Sequence, residues 1–337
     1  MIVVKDLVKE FKVYKKYEGL SGAFKSLFTK EYKVIRAVDG ISFEVSEGEI
    51  VGYIGVNGAG KSTTIKMLTG VLTPTSGVCT VNGIESYKNH KLNAKNIGVV
   101  FGQRTQLWWD LPVSESFSIL RKLYDIPKQR FAENLDFLKN LLDLKEFYNV
   151  PVRNLSLGQR MRAEFATAII HNPKILFLDE PTIGLDIVVK QKLRKAIKEL
   201  NAHQRTTVML TTHDLSDIEE LCNRIIVISK GKIIYDGSIS DFKRKSGNYR
   251  LLTIRIAPGE TIEAGMMAGM EKAIIKIETN EGEVSIQFDQ DQINAHEIIN
   301  RIAAHRKISD ILIGEISMED LVSKLYTEGQ QQNEMNI

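Results

Sequence analysis

Residues Gly55-Val56-Asn57-Gly58-Ala59-Gly60-Lys61-Ser62 carry the pattern G-x-x-x-x-G-K-[ST]. The chemistry that needs this pattern is phosphate binding. Glycines reach backbone angles closed to other residues and let the chain approach an anion closely. Successive amides then converge on it, and the positive end of the following helix adds its field. In this reading Lys61 reaches the β- and γ-phosphates of a nucleotide, Ser62 ligates Mg²⁺ and Thr63 adds a hydroxyl contact. An accidental glycine loop is the plain alternative. The pattern, however, lies between the apolar run Ile50 to Ile54 and a helical stretch ending near Gly70. That is the context phosphate binding requires.

A second chemical feature is the apolar run Ile175-Leu176-Phe177-Leu178 closed by Asp179-Glu180. Carboxylates at the tip of a buried strand are costly unless a cation or a reaction uses them. Asp179 suits the shell of Mg²⁺. Glu180 suits a general base that orients or deprotonates an attacking water. An ordinary solvated strand exit would explain the two acids if they stood alone.

The elements that must position these groups are legible in outline. Ile41, Phe43 and Val45 alternate as a strand. Ile50–Ile54, Ile175–Leu178, Thr207–Leu210 and Ile225–Ile228 read as buried strands. Helical pattern covers much of 114–149 and all of 187–200. Strands alternating with helices predict an α/β domain with a largely parallel sheet. The opening reads as a short strand, Ile2 to Val4, followed by a basic loop to residue 17. Leu20, Ala23, Phe24, Leu27 and Phe28 form one apolar stripe, so an amphipathic helix is expected over 18–30. After about residue 239 the character changes. Leu252–Ile256 and Val284–Phe288 alternate with period two, and helical pattern returns at 293–305 and 317–326. The expected organisation is a domain over 1–239, with a helical subdomain at about 110–165, then a small α+β domain over 240–327. A disordered polar tail is expected at 328–337.

Composition narrows the function classes. The 337-residue chain has a net charge of +3, which gives no argument for nucleic acid as a partner. Its two cysteines, Cys79 and Cys222, show neither metal-ligand spacing nor a disulfide framework. The N-terminus is interrupted by Lys5, Asp6, Lys9 and Glu10, unlike a secretory leader. No apolar run approaches the ~20 residues a membrane-spanning helix needs. A membrane role is therefore expected to come through a partner.

Taken together, the motifs resemble those of the ATP-binding subunit of ABC transporters. Leu155-Ser156-Leu157-Gly158-Gln159 resembles the family's L-S-G-G-Q signature and departs from it at Leu157. Gln103, ahead of Leu111-Pro112-Val113, resembles the glutamine loop that senses Mg²⁺ and the membrane partner. Gly184-Leu185-Asp186 resembles the D-loop, and His213 the switch histidine that contacts the γ-phosphate. The resemblance covers about residues 1–240, with every motif in order. It implies a P-loop ATPase with a RecA-like core, hydrolysing ATP with Mg²⁺. It also implies two subunits sandwiching two ATP molecules, as a homodimer or with a similar ATPase. The Lys61 loop of one then faces Ser156, Gly158 and Gln159 of the other, with Asp186 nearby. An aromatic usually stacks on adenine. Phe11 has the family-like setting Lys9-Glu10-Phe11, while Tyr14 and Tyr32 remain open alternatives.

The resemblance further implies a peripheral position on the cytoplasmic face of the cell membrane, beside a membrane-spanning subunit. The final domain, with Met318-Glu319-Asp320-Leu321, and the 18–30 insertion resemble those of drug and polysaccharide exporter ATPases. A soluble ABC ATPase working on ribosomes or DNA is the competing class. It usually carries two ATP domains or a long coiled-coil insertion. A purely regulatory ATP binder is disfavoured by Glu180 and His213. Trp108 and Trp109 follow the glutamine loop, beside the groove that receives a helix of the membrane subunit in the family. At least one of the two rings is expected to be exposed.

Overall fold

The structure is a computed structural model. It describes residues 1–14, 32–102, 105–245, 247–257, 260, 262, 264–267, 269–270, 272–280 and 282–334. The helix expected over 18–30 and Gln103 lie outside the described residues. The chain forms two compact units, Met1–Gly237 and Ser238–Ile337.

The first unit begins with β1 (Ile2–Tyr14) and β2 (Tyr32–Val45), paired antiparallel from Ile2↔Val45 to Tyr14↔Tyr32. The expected strand Ile2–Val4 is thus only the base of a longer one, and the segment expected as a basic loop is strand as far as Tyr14. Ile2, Val4 and Leu7 are buried, whereas Phe11 to Tyr14 are exposed. Strand that buries neither face leaves no alternation to read. Next come β3 (Ile50–Gly55), α1 (Lys61–Leu68), β4 (Ser76–Val81), β5 (Ile84–Glu85), α2 (His90–Asn96) and β6 (Ile97–Phe101). Two helices follow, α3 (Val113–Leu123) and α4 (Lys128–Leu141). Each buries one stripe: Val113, Phe117 and Leu120 on α3, Leu135 and Leu138 on α4.

The unit closes with α5 (Leu157–Ile169), β7 (Ile175–Asp179), α6 (Ile187–Gln204), β8 (Thr207–Thr211), α7 (Leu215–Leu221), β9 (Arg224–Ser229) and β10 (Lys232–Ser238). Two sheets result, in the orders β2-β1-β4-β5 and β10-β9-β3-β8-β7-β6. In the larger sheet β9, β3, β8, β7 and β6 run parallel. Their carboxyl ends therefore share one edge, where ligands of open α/β sheets bind. Helix α1 joins the two sheets. Its Ile65, Met67 and Leu68 share one apolar core with Ile2, Val4 and Val45 of the smaller sheet and Tyr53, Phe177 and Met209 of the larger. Each such fully buried side chain contributes about 1.5–3 kcal/mol. That packing fixes the phosphate loop at the start of α1.

The second unit contains α8 (Ile239–Lys245), β11 (Tyr249–Ile256), β12 (Ile274–Asn280), β13 (Glu283–Asp289), α9 (Ala295–Ala303), β14 (Ile308–Glu315) and α10 (Met318–Glu334). Its antiparallel sheet has the order β12-β13-β11-β14. Leu252, Ile254, Val284, Ile286 and Phe288 meet Ile298 and Ile302 of α9 in its core. Asn294 and Glu297 close the start of α9 with a capping box. Helix α10 continues through 328–334, where a disordered tail was expected. Its final turns are rich in Gln and Glu, which propagate a helix well without marking it by an apolar stripe. No helix among the described residues is long and apolar enough to cross a membrane. Cys79 and Cys222 are buried free thiols.

Candidate nucleotide site

A cleft of about 440 Å³ opens at the shared carboxyl edge of the large sheet. The ends of four strands, β3, β6, β7 and β8, and one helix start converge on it. Strand β3 leads into the loop Gly55–Gly60, and α1 begins at Lys61. Gly60, just before the helix, adopts φ 113°. A Cβ there would lie 2.4 Å from the Ala37 carbonyl oxygen, so only glycine fits. No side chain caps the start of α1. Its first amides are therefore available to an anion. Lys61 is nearly buried, and its Nζ donates to the Gly55 carbonyl at 2.6 Å. Burial lowers the Lys61 pKa, against the pull of Glu180 and Asp179. A phosphate would supply the negative charge that favours its ionised form.

Strand β7 delivers the acids. The Thr211 hydroxyl donates to Asp179 Oδ1 at 2.6 Å, and the Ser62 hydroxyl to the same oxygen at 3.5 Å. The Gly102 amide, at the end of β6, donates to the Asp179 carbonyl at 2.8 Å. A side chain at Gly102 would collide with the Glu180 carbonyl oxygen, 2.3 Å from the Cβ position. Glu180 itself stands at φ 57°, a left-handed angle uncommon outside glycine and asparagine. The turn aims its carboxylate at His213. His213 Nε2 lies 3.1 Å from Glu180 Oε1, and the His213 amide donates to Oε2 at 3.2 Å. Burial pushes the Glu180 carboxyl up, while His213 and Lys61 pull it back. A carboxylate kept partly out of water, beside a histidine, is arranged for proton handling.

Val56, Asn57, Gly58, Ala59, Gly60, Lys61, Ser62, Thr63, Asp179, Glu180 and His213 all line this cleft. Gly55, the last residue of β3, does not line it. Ala37, Lys66, Phe101 and Gly102 also line it and were not singled out from sequence. Nor was Thr211, although a hydroxyl two residues before His213 at a strand end was a readable signal.

The remaining candidates lie elsewhere in this chain. Ser156, Gly158 and Gln159 do not line the cleft. They form the start of α5, where the Gln159 amide donates to Ser156 Oγ at 3.2 Å and the Ser156 amide to Gln159 Oε1 at 2.9 Å. Asp186 caps α6, accepting from the Val189 amide at 3.0 Å. Phe11 is exposed on β1 opposite Ile35, with Lys9 Nζ 5.4 Å from its ring centroid, and does not line the cleft. Tyr14 and Tyr32 pack on each other edge to face, centroids 5.8 Å apart. Trp108 and Trp109 are 40% and 49% exposed, as expected of at least one of them.

A phosphate-cradling loop, an acidic strand tip and a histidine at one edge of a parallel sheet define a P-loop nucleotide hydrolase. Comparison with known proteins narrows the class. Residues 38–183 match the ABC transporter family. The chain is 33% identical over 212 residues to the "ABC transporter ATP-binding protein NatA" of Bacillus subtilis, spanning 63% of this chain and 86% of that protein. It is 32% identical to the "Methionine import ATP-binding protein MetN" of Halalkalibacterium halodurans, over 66% of each chain. Among solved structures, the ATP-binding cassette MJ0796, dimeric and bound to ADP and Pi in a post-hydrolysis state, superposes with a TM-score of 0.59. It shares 25% identity and covers 71% of this chain and 99% of its own. The chain belongs to the ATP-binding proteins of ABC transporters and is an ATPase of that family.

Proposed function

We propose that this chain powers export through a separate membrane-spanning subunit, from the cytoplasmic face of the membrane, by closing as a dimer on ATP and reopening after hydrolysis. The observation that carries the reading is a divided site. The phosphate loop, Asp179, Glu180 and His213 line one cleft, while Ser156, Gly158 and Gln159 lie outside it. A second copy, or a similar ATPase, presenting its α5 start would complete the site, as the family's sandwich implies.

Within each cleft the roles follow from position. The loop amides and Lys61 hold the β- and γ-phosphates. Ser62 and Asp179 offer adjacent hard oxygen donors, 3.5 Å apart, which suits Mg²⁺. Gln103 is assigned to the same ion by resemblance. Mg²⁺ neutralises charge on the phosphates when bound. Glu180 takes a proton from the attacking water or orients it, and His213 holds the Glu180 carboxylate and reaches toward the γ-phosphate. Phe11 is proposed to stack on adenine, because its strand partner β2 carries Ala37 at the cleft wall. Export, rather than import, is supported by the small α+β second unit, which resembles the appendage of exporter ATPases. The exposed Trp108 and Trp109 are the proposed contact with the membrane subunit, since aromatic rings anchor interfaces well.

The test is recovery of the chain from gently solubilised membranes. Co-purification of a hydrophobic protein with about six spans, lost on Trp108→Ala or Trp109→Ala while ATP hydrolysis by the free chain stays near normal, supports the reading. Co-purification of ribosomal proteins instead would sink it.

A further inference from the structure

Glu164 does not line the nucleotide cleft. This carboxylate lies in the middle of α5, two turns after Ser156, and is 4% exposed. An isolated buried carboxylate is strongly unfavourable. Here its oxygens are occupied by one short segment. The Thr105 hydroxyl donates to Oε1. The Gln106 amide donates to both oxygens, at 3.1 and 3.0 Å. The Leu107 amide donates to Thr105 Oγ1 at 3.1 Å. The segment is thus folded around the carboxylate: burial pushes the Glu164 carboxyl up, while the Thr105 hydroxyl and the Gln106 amide pull it back by donating to its ionised form.

The same face of α5 carries Arg160, one turn nearer the helix start. Its guanidinium lies 5.8 Å from the Trp109 ring centroid. Ser156, Arg160 and Glu164 recur every fourth residue and so share one face of the helix. Two of the three grip the stretch 105–109. At its other side, the Trp108 amide donates to the buried Ser116 hydroxyl of α3 at 3.3 Å. Only residues 103 and 104 separate Thr105 from Gly102, which lines the cleft.

We infer that Glu164 is a positioning residue, a strap through which the helix that begins at Ser156 holds the loop between the ATP cleft and the two tryptophans. A shift of the α5 start on meeting a γ-phosphate would then move loop 105–109 as one piece, carrying the tryptophan surface with it. This inference rests on the proposed reading of Gln103 and of Ser156. Its physical core, that Glu164 fixes the loop, stands on contacts within one unit.

The test uses the full chain without membranes. Trp108 and Trp109 are its only tryptophans, so their emission reports on the loop directly. Glu164→Leu should shift the emission to longer wavelength and raise quenching by acrylamide. It should lower kcat for ATP by about 10- to 100-fold, the scale of a misplaced catalytic loop, with KM for ATP little changed. Glu164→Gln keeps the shape and one acceptor, and should restore much of both signals. Thr105→Val removes a single donor and should show the same changes more weakly, which keeps the test open if Glu164→Leu does not fold. Wild-type quenching and kcat in folded Glu164→Leu or Thr105→Val would overturn the strap. So would a changed quenching with wild-type kcat, because the loop would then be held without being coupled. A wild type that hydrolyses no ATP would refute the functional reading instead, and quenching alone would still decide whether Glu164 holds the loop.

Discussion

Two helices of the first unit begin at sequences suited to anions, and they begin in opposite states. Helix α1 starts at Gly60, in a left-handed conformation, a residue with no side chain to cap its first amides. Helix α5 starts at Ser156, and a reciprocal capping box with Gln159 already occupies its end. The first is an open anion site within one chain. The second is closed on itself, and in the proposed dimer it exchanges its own cap for a phosphate from outside. The contrast teaches how a sequence can carry both halves of a site and yet not join them. A half that must wait for a partner is stabilised alone by a cap that the partner's ligand can replace, whereas the half that captures the free nucleotide is held open by packing of α1 between two sheets.

The contrast can be tested from its strongest consequence downward. Glu180→Gln acts on the open half after binding has occurred. It should lower hydrolysis by ~10²–10⁴-fold, the usual loss for a general base, and leave ATP binding intact. Steady-state turnover beside calorimetric binding checks this, and near-normal turnover would remove Glu180 from the base role. Lys61→Ala removes the charge that faces the phosphates. Loss of a charge-assisted contact of ~1.5–3 kcal/mol corresponds to about 10- to 100-fold weaker ATP binding. Unchanged affinity would contradict its placement. The smallest effect belongs to the closed half. Ser156→Ala removes a cap and should destabilise the free chain by about 1 kcal/mol, with the affinity of a single chain for ATP unaltered. If Ser156→Ala weakens ATP binding to the isolated monomer, the two halves are not separate.

The open half was largely legible in the sequence, because its chemistry needs particular residue types at fixed spacing. Val56 to Thr63, Asp179, Glu180 and His213 all meet at one cleft. The supports of that cleft were not legible. Gly102 and Thr211 act through backbone proximity and a single hydroxyl, and neither forms a pattern along the chain. Glu164 is hidden for a related reason. A glutamate inside a helix reads as solvent-facing, and only the folded loop 105–107 turns it inward.

The strands β6 and β7 illustrate the same limit at the level of the fold. Ile175–Asp179 is an uninterrupted apolar run ending in acids and was readable. Its parallel neighbour Ile97–Phe101 contains Gly98 and was passed over, although the two pair along their whole length. In the second unit, β12 is exposed at nearly every position, so Ile274–Asn280 shows no buried face. The period-two segments that pack on α9 were the ones recognised. Burial writes itself into sequence, and edges and exposed extensions do not.

In the proposed dimer a working site takes its phosphate loop from one chain and its Ser156 from the other. Mixing two inactive variants tests it most directly. Ser156→Asp keeps a good helix cap but sets a negative charge where the partner's γ-phosphate must come. Lys61→Ala disables the other half. Each variant alone should hydrolyse ATP poorly, since both sites of its dimer are damaged. In an equimolar mixture, mixed dimers concentrate both lesions in one site and leave the other whole. The account predicts that the mixture hydrolyses ATP well above the sum of the two variants measured separately. Activity equal to that sum, with mixed dimers demonstrably formed, would contradict it.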